Sequence, residues 1–139
     1  MDNLYHGSPI AGIRSFTPLP SEVLNGESVV FAGERWMGVS CVNTWSDLDF
    51  IQGTSNGKPF MQEVYKNAFK TIYKTGGFLY TVPKSIFRHD HRICDYEYIT
   101  THAVSPTDEK YIADPILELT KLGVELIKFV TPITALHWK

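Results

Sequence analysis

Leu4-Tyr5-His6-Gly7-Ser8-Pro9 sets an imidazole at the end of a short apolar run and follows it at once with glycine. Asn3 to His6 reads as a short strand. A glycine after it lets the main chain pass close to a flat ligand, because no side chain intervenes. The histidine can bond a sugar hydroxyl through either ring nitrogen. Far along the chain, Ile93-Cys94-Asp95-Tyr96-Glu97-Tyr98-Ile99-Thr100 puts one glutamate, Glu97, in a run of strand character. A histidine-glycine edge and a distant strand glutamate together suggest a nucleotide-sugar site.

The 139 residues suit one domain spanning 1–139, large enough for its own core. Hydrophobic residues make up 43% and charged residues 20%, a globular rather than a disordered balance. A formal net charge of −2 supplies no global basic field for non-specific nucleic-acid binding. No stretch reaches the roughly 20 apolar residues that span a bilayer. Met1-Asp2-Asn3 lacks the basic and apolar regions of a signal peptide, so a cytoplasmic location without a membrane partner is expected. Cys41 and Cys94 lie in apolar segments without metal-ligand spacing and read as reduced, buried core residues.

Val29-Val30-Phe31-Ala32 reads as a buried strand, followed by a short helix over Glu34 to Val42. Asn56-Gly57 is a turn signal that either closes a hairpin between Phe50-Ile51 and Pro59-Phe60 or sits in a long loop. Val64, Ala68, Phe69 and Ile72 fall at helical spacing, predicting a helix over Met61 to Lys74 that stops at Gly76-Gly77. Gly77 to Val82 reads as a strand. Arg92 to Thr100 reads as another, with Ile93, Asp95, Glu97 and Ile99 on one face. Asp114-Pro115 starts a helix whose apolar side is Ile116, Leu117, Leu119 and Leu122. Val124 to Val130 reads as the last strand. The pattern is α+β, without the βαβ rhythm of a doubly wound fold.

Glu97 invites explanation, because strand interiors are poor in glutamate and a carboxylate there must be solvated or paired. It is either a fixed anion for positive charge developing on a sugar ring, or a solvent-facing residue of an edge strand. His6 either orients a ribose or is a core histidine bonded to a carbonyl. Phe31 and Trp36 can stack on a heterocycle, or they are core and helix anchor respectively. His89-Asp90-His91 lacks the partners of a metal site and reads as an exposed turn, so no metal is expected. Ser8 and Cys41, the candidate nucleophiles, sit in no hydrolase motif. Dinucleotide-binding and Walker glycine patterns are absent.

Together these residues resemble the ADP-ribosyltransferase-like superfamily, in particular its small bacterial and phage members. Leu4-Tyr5-His6-Gly7-Ser8 looks like the family's first strand, Val29 to Ala32 with its helix like the second motif, and Gly77 to Val82 like a central strand. Glu97 within Tyr96-Glu97-Tyr98-Ile99-Thr100 looks like the catalytic glutamate. The resemblance implies two small packed antiparallel sheets, a few short helices, and a ligand cleft between the sheets. It implies NAD as substrate, held by Tyr5, His6 and Gly7, with Phe31 or Trp36 over the nicotinamide and Glu97 on the ribose. The implied activity is ADP-ribosyl transfer to an acceptor, protein or nucleic acid. A hydrolase cleaving the N-glycosidic bond of NAD, a nucleotide or a modified base is the alternative. An inactive partner-binding module is a third reading. Family members with a histidine-tyrosine-glutamate triad carry tyrosine on the second motif strand, where this chain has Phe31.

Overall fold

The computed structural model of the chain describes residues 2–42, 48–65 and 76–129, which form a mixed α+β arrangement of mostly antiparallel sheets and two short helices. At its centre is β1 (Asn3–Ser8), whose side chains alternate between two apolar faces. Leu4 packs with Val30, Ala32, Tyr80 and Val82, whereas Tyr5 packs against a separate cluster containing Trp36, Val39, Val42 and Leu79. Burial on both faces explains why this segment has no clean polar alternation.

β6 (Gly77–Pro83) pairs with β1 along its whole length, from Asn3↔Pro83 to Ser8↔Phe78. The other side of β1 is different. β3 (Ser28–Gly33) meets it only at Tyr5↔Gly33, after which the two strands part. β2 (Leu19–Pro20) and β7 (Glu97–Thr100) pair with β3, and β8 (Asp108–Ile112) pairs with β6 to complete a six-stranded sheet. A second sheet joins β4 (Leu48–Ser55), β5 (Lys58–Tyr65) and β9 (Glu125–Phe129), with β9 parallel to β5.

One face of the larger sheet is covered by the segment after β1. Buried Tyr80 holds it, its hydroxyl donating to the Ile10 carbonyl at 2.6 Å and accepting from the Ile13 amide at 3.1 Å. The other face carries α1 (Arg35–Ser40), α2 (Pro115–Lys121) and Met61 of β5. α1 lies directly on β1, main chain against main chain. A Cβ on Gly7 would collide with the Gly38 carbonyl and come within 2.7 Å of the Cys41 backbone. A Cβ on Gly38 would lie 2.8 Å from the Tyr5 Cβ.

Several expectations need correction. The predicted helix over Met61 to Lys74 begins in β5, and residues 66–74 lie outside the described residues. The Asn56-Gly57 turn explains why: both residues take positive φ (54° and 77°), closing a two-residue hairpin whose register extends to Leu48↔Tyr65. Pairing with β4 and β9 makes Met61 to Tyr65 a strand, whereas Ala68, Phe69 and Ile72, which supplied most of the helical spacing, lie outside the described residues. The strand expected from Arg92 is confined to Glu97–Thr100. Upstream, Asp90 accepts from the Arg92 amide and guanidinium (2.8–2.9 Å), which folds that stretch into a turn.

α2 begins as expected, the Asp114 carboxylate accepting from the Leu117 amide at 3.1 Å ahead of Pro115. Its buried residues are Pro115 and Leu119, however, while Leu117 and Leu122 are exposed. Cys41 and Cys94 are free, as expected, but exposed rather than buried. Among the described residues no helix is long and apolar enough to cross a membrane.

The contact of α1 with β1 leads to a direct prediction. Gly7→Ala forces a methyl into backbone atoms that cannot rotate away, at a cost of about 3 kcal/mol or more. The melting temperature is expected to fall by roughly 10 °C. Thermal denaturation followed by circular dichroism checks this, and an unchanged midpoint would show that the helix seats elsewhere.

Candidate functional site

The parting of β1 from β3 leaves unpaired backbone, and the site is built on it. Ile99 of β7 exchanges both backbone hydrogen bonds with Arg88, at 2.9 Å each. Residues along an antiparallel ladder alternate between bonded and non-bonded pairs, so Phe31, opposite Ile99, turns its backbone groups away from β7 and toward the fork. His6 meets this need. Its Nδ1 lies 2.7 Å from the Phe31 carbonyl oxygen, and because a carbonyl only accepts, Nδ1 carries the hydrogen. The Phe16 ring packs on the imidazole at 4.4 Å between centroids. The side chain thus replaces a missing rung of the sheet, and Nε2 is left as an acceptor while the ring is neutral. Burial pushes the His6 pKa down, with the Phe31 bond partly opposing the shift, so the neutral form is favoured.

A cleft with about 90 Å³ of space, open to solvent, occupies the fork. β1 contributes Tyr5, His6 and Gly7, and β3 contributes Phe31, Ala32 and Gly33. Met37, Gly38 and Cys41 close it from the α1 side, and Glu97 enters from β7. The volume is well below the roughly 300–1,000 Å³ of cavities that enclose a whole small molecule, so the cleft can take only part of a ligand. Five of the six residues singled out from sequence, Tyr5, His6, Gly7, Phe31 and Glu97, therefore meet in one place. Trp36 does not line it. Its indole is 5% exposed, packs on Tyr96 at 5.0 Å between centroids, and donates to Glu34 Oε1 at 3.0 Å. The cleft lies inside one sheet, under a helix, not between two sheets as expected.

Glu97 reaches the cleft by register. It pairs with Gly33, which pairs on its other side with Tyr5, so the three share a face at the closed end of the fork. Gly33 has no side chain because the Tyr96 carbonyl and Met37 close over it: a Cβ there would lie 2.8 Å from the Tyr96 oxygen and 3.0 Å from Met37 Cγ. Glu97 is half-buried, and no cationic side chain among the described residues pairs with it. Burial pushes its carboxyl above the ordinary range, partly offset by a hydrogen bond from Cys94. Cys41 is exposed as a residue, yet desolvation by surrounding protein is the main influence on its thiol and pushes it up. A contact with Ser40 opposes that shift and the Glu97 charge adds to it. A thiol held protonated beside an anion is a poor nucleophile. Ser8, the other candidate, is buried and accepts from the Ile10 amide at 3.1 Å.

Met37, Gly38 and Cys41 were not singled out from sequence as cleft residues. One signal was present: a glycine inside a short helix marks a close approach, and Gly38 is that approach. Elsewhere, His91 is exposed and Asp90 is engaged by Arg88 and Arg92. Among the described residues no three histidine, cysteine or acidic side chains gather as a metal-holding group. No protein-family model, curated protein or solved structure matches the chain.

The His6 bond predicts a titration. Because the folded pKa is depressed, the unfolded chain takes up this proton first as pH falls. The contribution of His6 to stability is therefore complete above 6.5 and lost as pH drops through the lower folded value. Nitrogen-15 imidazole spectra should show an Nδ1-protonated neutral ring with a midpoint below 6.5. A midpoint at or above that value would mean the ring is solvated.

Proposed function

We propose that this chain cleaves the nicotinamide N-glycosidic bond of NAD and transfers ADP-ribose to an acceptor, as an ADP-ribosyltransferase-like enzyme. The observation that carries this reading is Glu97, a half-buried carboxylate with no cationic partner among the described residues, in a cleft with an aromatic side chain. An anion so placed is costly by itself and favours a ligand that brings positive charge. NAD does so twice. Its nicotinamide is a cationic aromatic ring in the ground state, and its ribose gains oxocarbenium character as the bond breaks.

The lining residues fit such a substrate. The Phe31 ring offers a flat apolar face to nicotinamide, without the hydroxyl that a tyrosine would add. His6 Nε2, an acceptor in the tautomer fixed by Phe31, can take a hydrogen bond from a ribose hydroxyl. Tyr5 and the Gly7 main chain flank the same space. Glu97 bonds the ribose hydroxyl and stabilises charge at the anomeric carbon as the carbon–nitrogen bond breaks. The bonding electrons leave with nicotinamide, and a nucleophile on the acceptor attacks the anomeric carbon. Cys41 lines the cleft as a neutral thiol and takes no covalent part.

Two expectations test this reading. Glu97→Gln should lower nicotinamide release by on the order of 100-fold or more. Its thermal stability should hold or rise, because the substitution removes a carboxylate whose raised pKa makes ionisation unfavourable in the folded state. Incubation with labelled NAD and cell lysate measures release and the fate of ADP-ribose together. Label fixed to an acceptor supports transfer, free ADP-ribose indicates hydrolysis, and Glu97-independent release or none would overturn the assignment. The second expectation concerns pH. Activity needs ionised Glu97, so the rate should fall as pH drops through a midpoint above 4.5, and Glu97→Gln should abolish that limb.

A further inference from the structure

Among the described residues the cleft is lined by one carboxylate and by no lysine or arginine. A phosphate placed beside half-buried Glu97 would meet like charge where screening is weak. The cleft therefore suits the neutral or cationic part of a ligand, and any phosphate must lie outside it. Arg35 stands next to it. Its guanidinium carbon is 5.3 Å from the centre of the Tyr5 ring, and Tyr5 is a wall of the cleft.

Arg35 is half-buried and has no acidic partner among the described residues. Scarcity of acids does not explain this, since the chain has 15 acidic residues against 13 lysines and arginines. The adjacent Glu34 is engaged by the Trp36 indole at 3.0 Å. Stacking on tyrosine occupies the face of a guanidinium and leaves its in-plane N–H donors available, in the fork geometry that matches phosphate oxygens.

We infer that Arg35 anchors a phosphate or pyrophosphate that the ligand carries outside the cleft. The substrate class is then a phosphorylated nucleoside whose base end meets the cleft while its phosphates stay beside Tyr5. This inference rests on the N-glycosidic reading for what fills the cleft, but it makes a separate statement about charge.

The test compares wild type, Arg35→Gln and Arg35→Lys in two measurements. Calorimetry gives the affinity for ADP-ribose. Steady-state kinetics give KM for NAD relative to nicotinamide riboside, which lacks phosphate. Arg35→Gln should weaken ADP-ribose binding by roughly 10- to 100-fold and reduce the preference for NAD over the riboside by a similar factor. The kcat for NAD should change much less. Arg35→Lys should recover part of the binding, keeping charge but not the fork. Equal losses for phosphorylated and phosphate-free ligands, no loss, or no ADP-ribose binding by wild type would each overturn the inference. Arg35-dependent binding of ADP-ribose without any nicotinamide release would keep the anchor and remove the N-glycosidic reading. Glu97-dependent release with an unchanged preference would do the reverse.

Discussion

The contact of α1 with β1, main chain on main chain, is the constraint on which the other features depend. Gly7 and Gly38 together let the helix sit closer to the strand than any pair with side chains would permit. With the helix there, Met37, Gly38 and Cys41 form a wall over the gap between β1 and β3. The same placement buries Val39, Val42 and Trp36 against Leu79 and Ile112, so cleft and core are products of one packing event.

The fork creates a local deficit of hydrogen bonds that a closed sheet would not have. His6 offsets it for the Phe31 carbonyl, which fixes the ring's tautomer and orientation. The reading of His6 as a histidine satisfied by a carbonyl thus holds, and the same residue lines the cleft. Glu97 presents the complementary case. Where His6 removes an unsatisfied group, Glu97 retains a half-buried carboxylate without a cationic partner among the described residues, and such exceptions in an otherwise consistent fold are where function is to be sought.

Much of this was legible in the residues. Ser28–Gly33 and Gly77–Pro83 carry largely apolar runs ended by glycine or proline, Asn3–Ser8 a shorter one at Leu4-Tyr5, and Asp114-Pro115 is a local cap with local chemistry. Elements fixed by distant partners were harder to read. The C-terminal half of β5 opens the stretch read as a helix, but it is held by β4 and β9. β8 contains Asp108, Glu109 and Lys110 in a row, a pattern that hides an edge strand. The five residues that share the cleft were visible one at a time, because each carries unusual chemistry for its position. Their assembly within one split sheet depends on the single Tyr5↔Gly33 pairing, which no local pattern encodes. Trp36 misled for a related reason: an indole at a helix start can serve a ligand or the core, and only its neighbours decide.

The floor of the cleft at Gly7 and Gly38 has an evolutionary consequence. Substitution acts on side chains, and here the surface is peptide backbone that no codon change can reshape without unseating the helix. His6 and Glu97 are similarly tied, one to the sheet's hydrogen bonding and the other to the cleft's charge. Drift in ligand preference among descendants of this chain is thereby channelled to Phe31, Met37 and Cys41, whose side chains can vary in bulk while the scaffold stays intact.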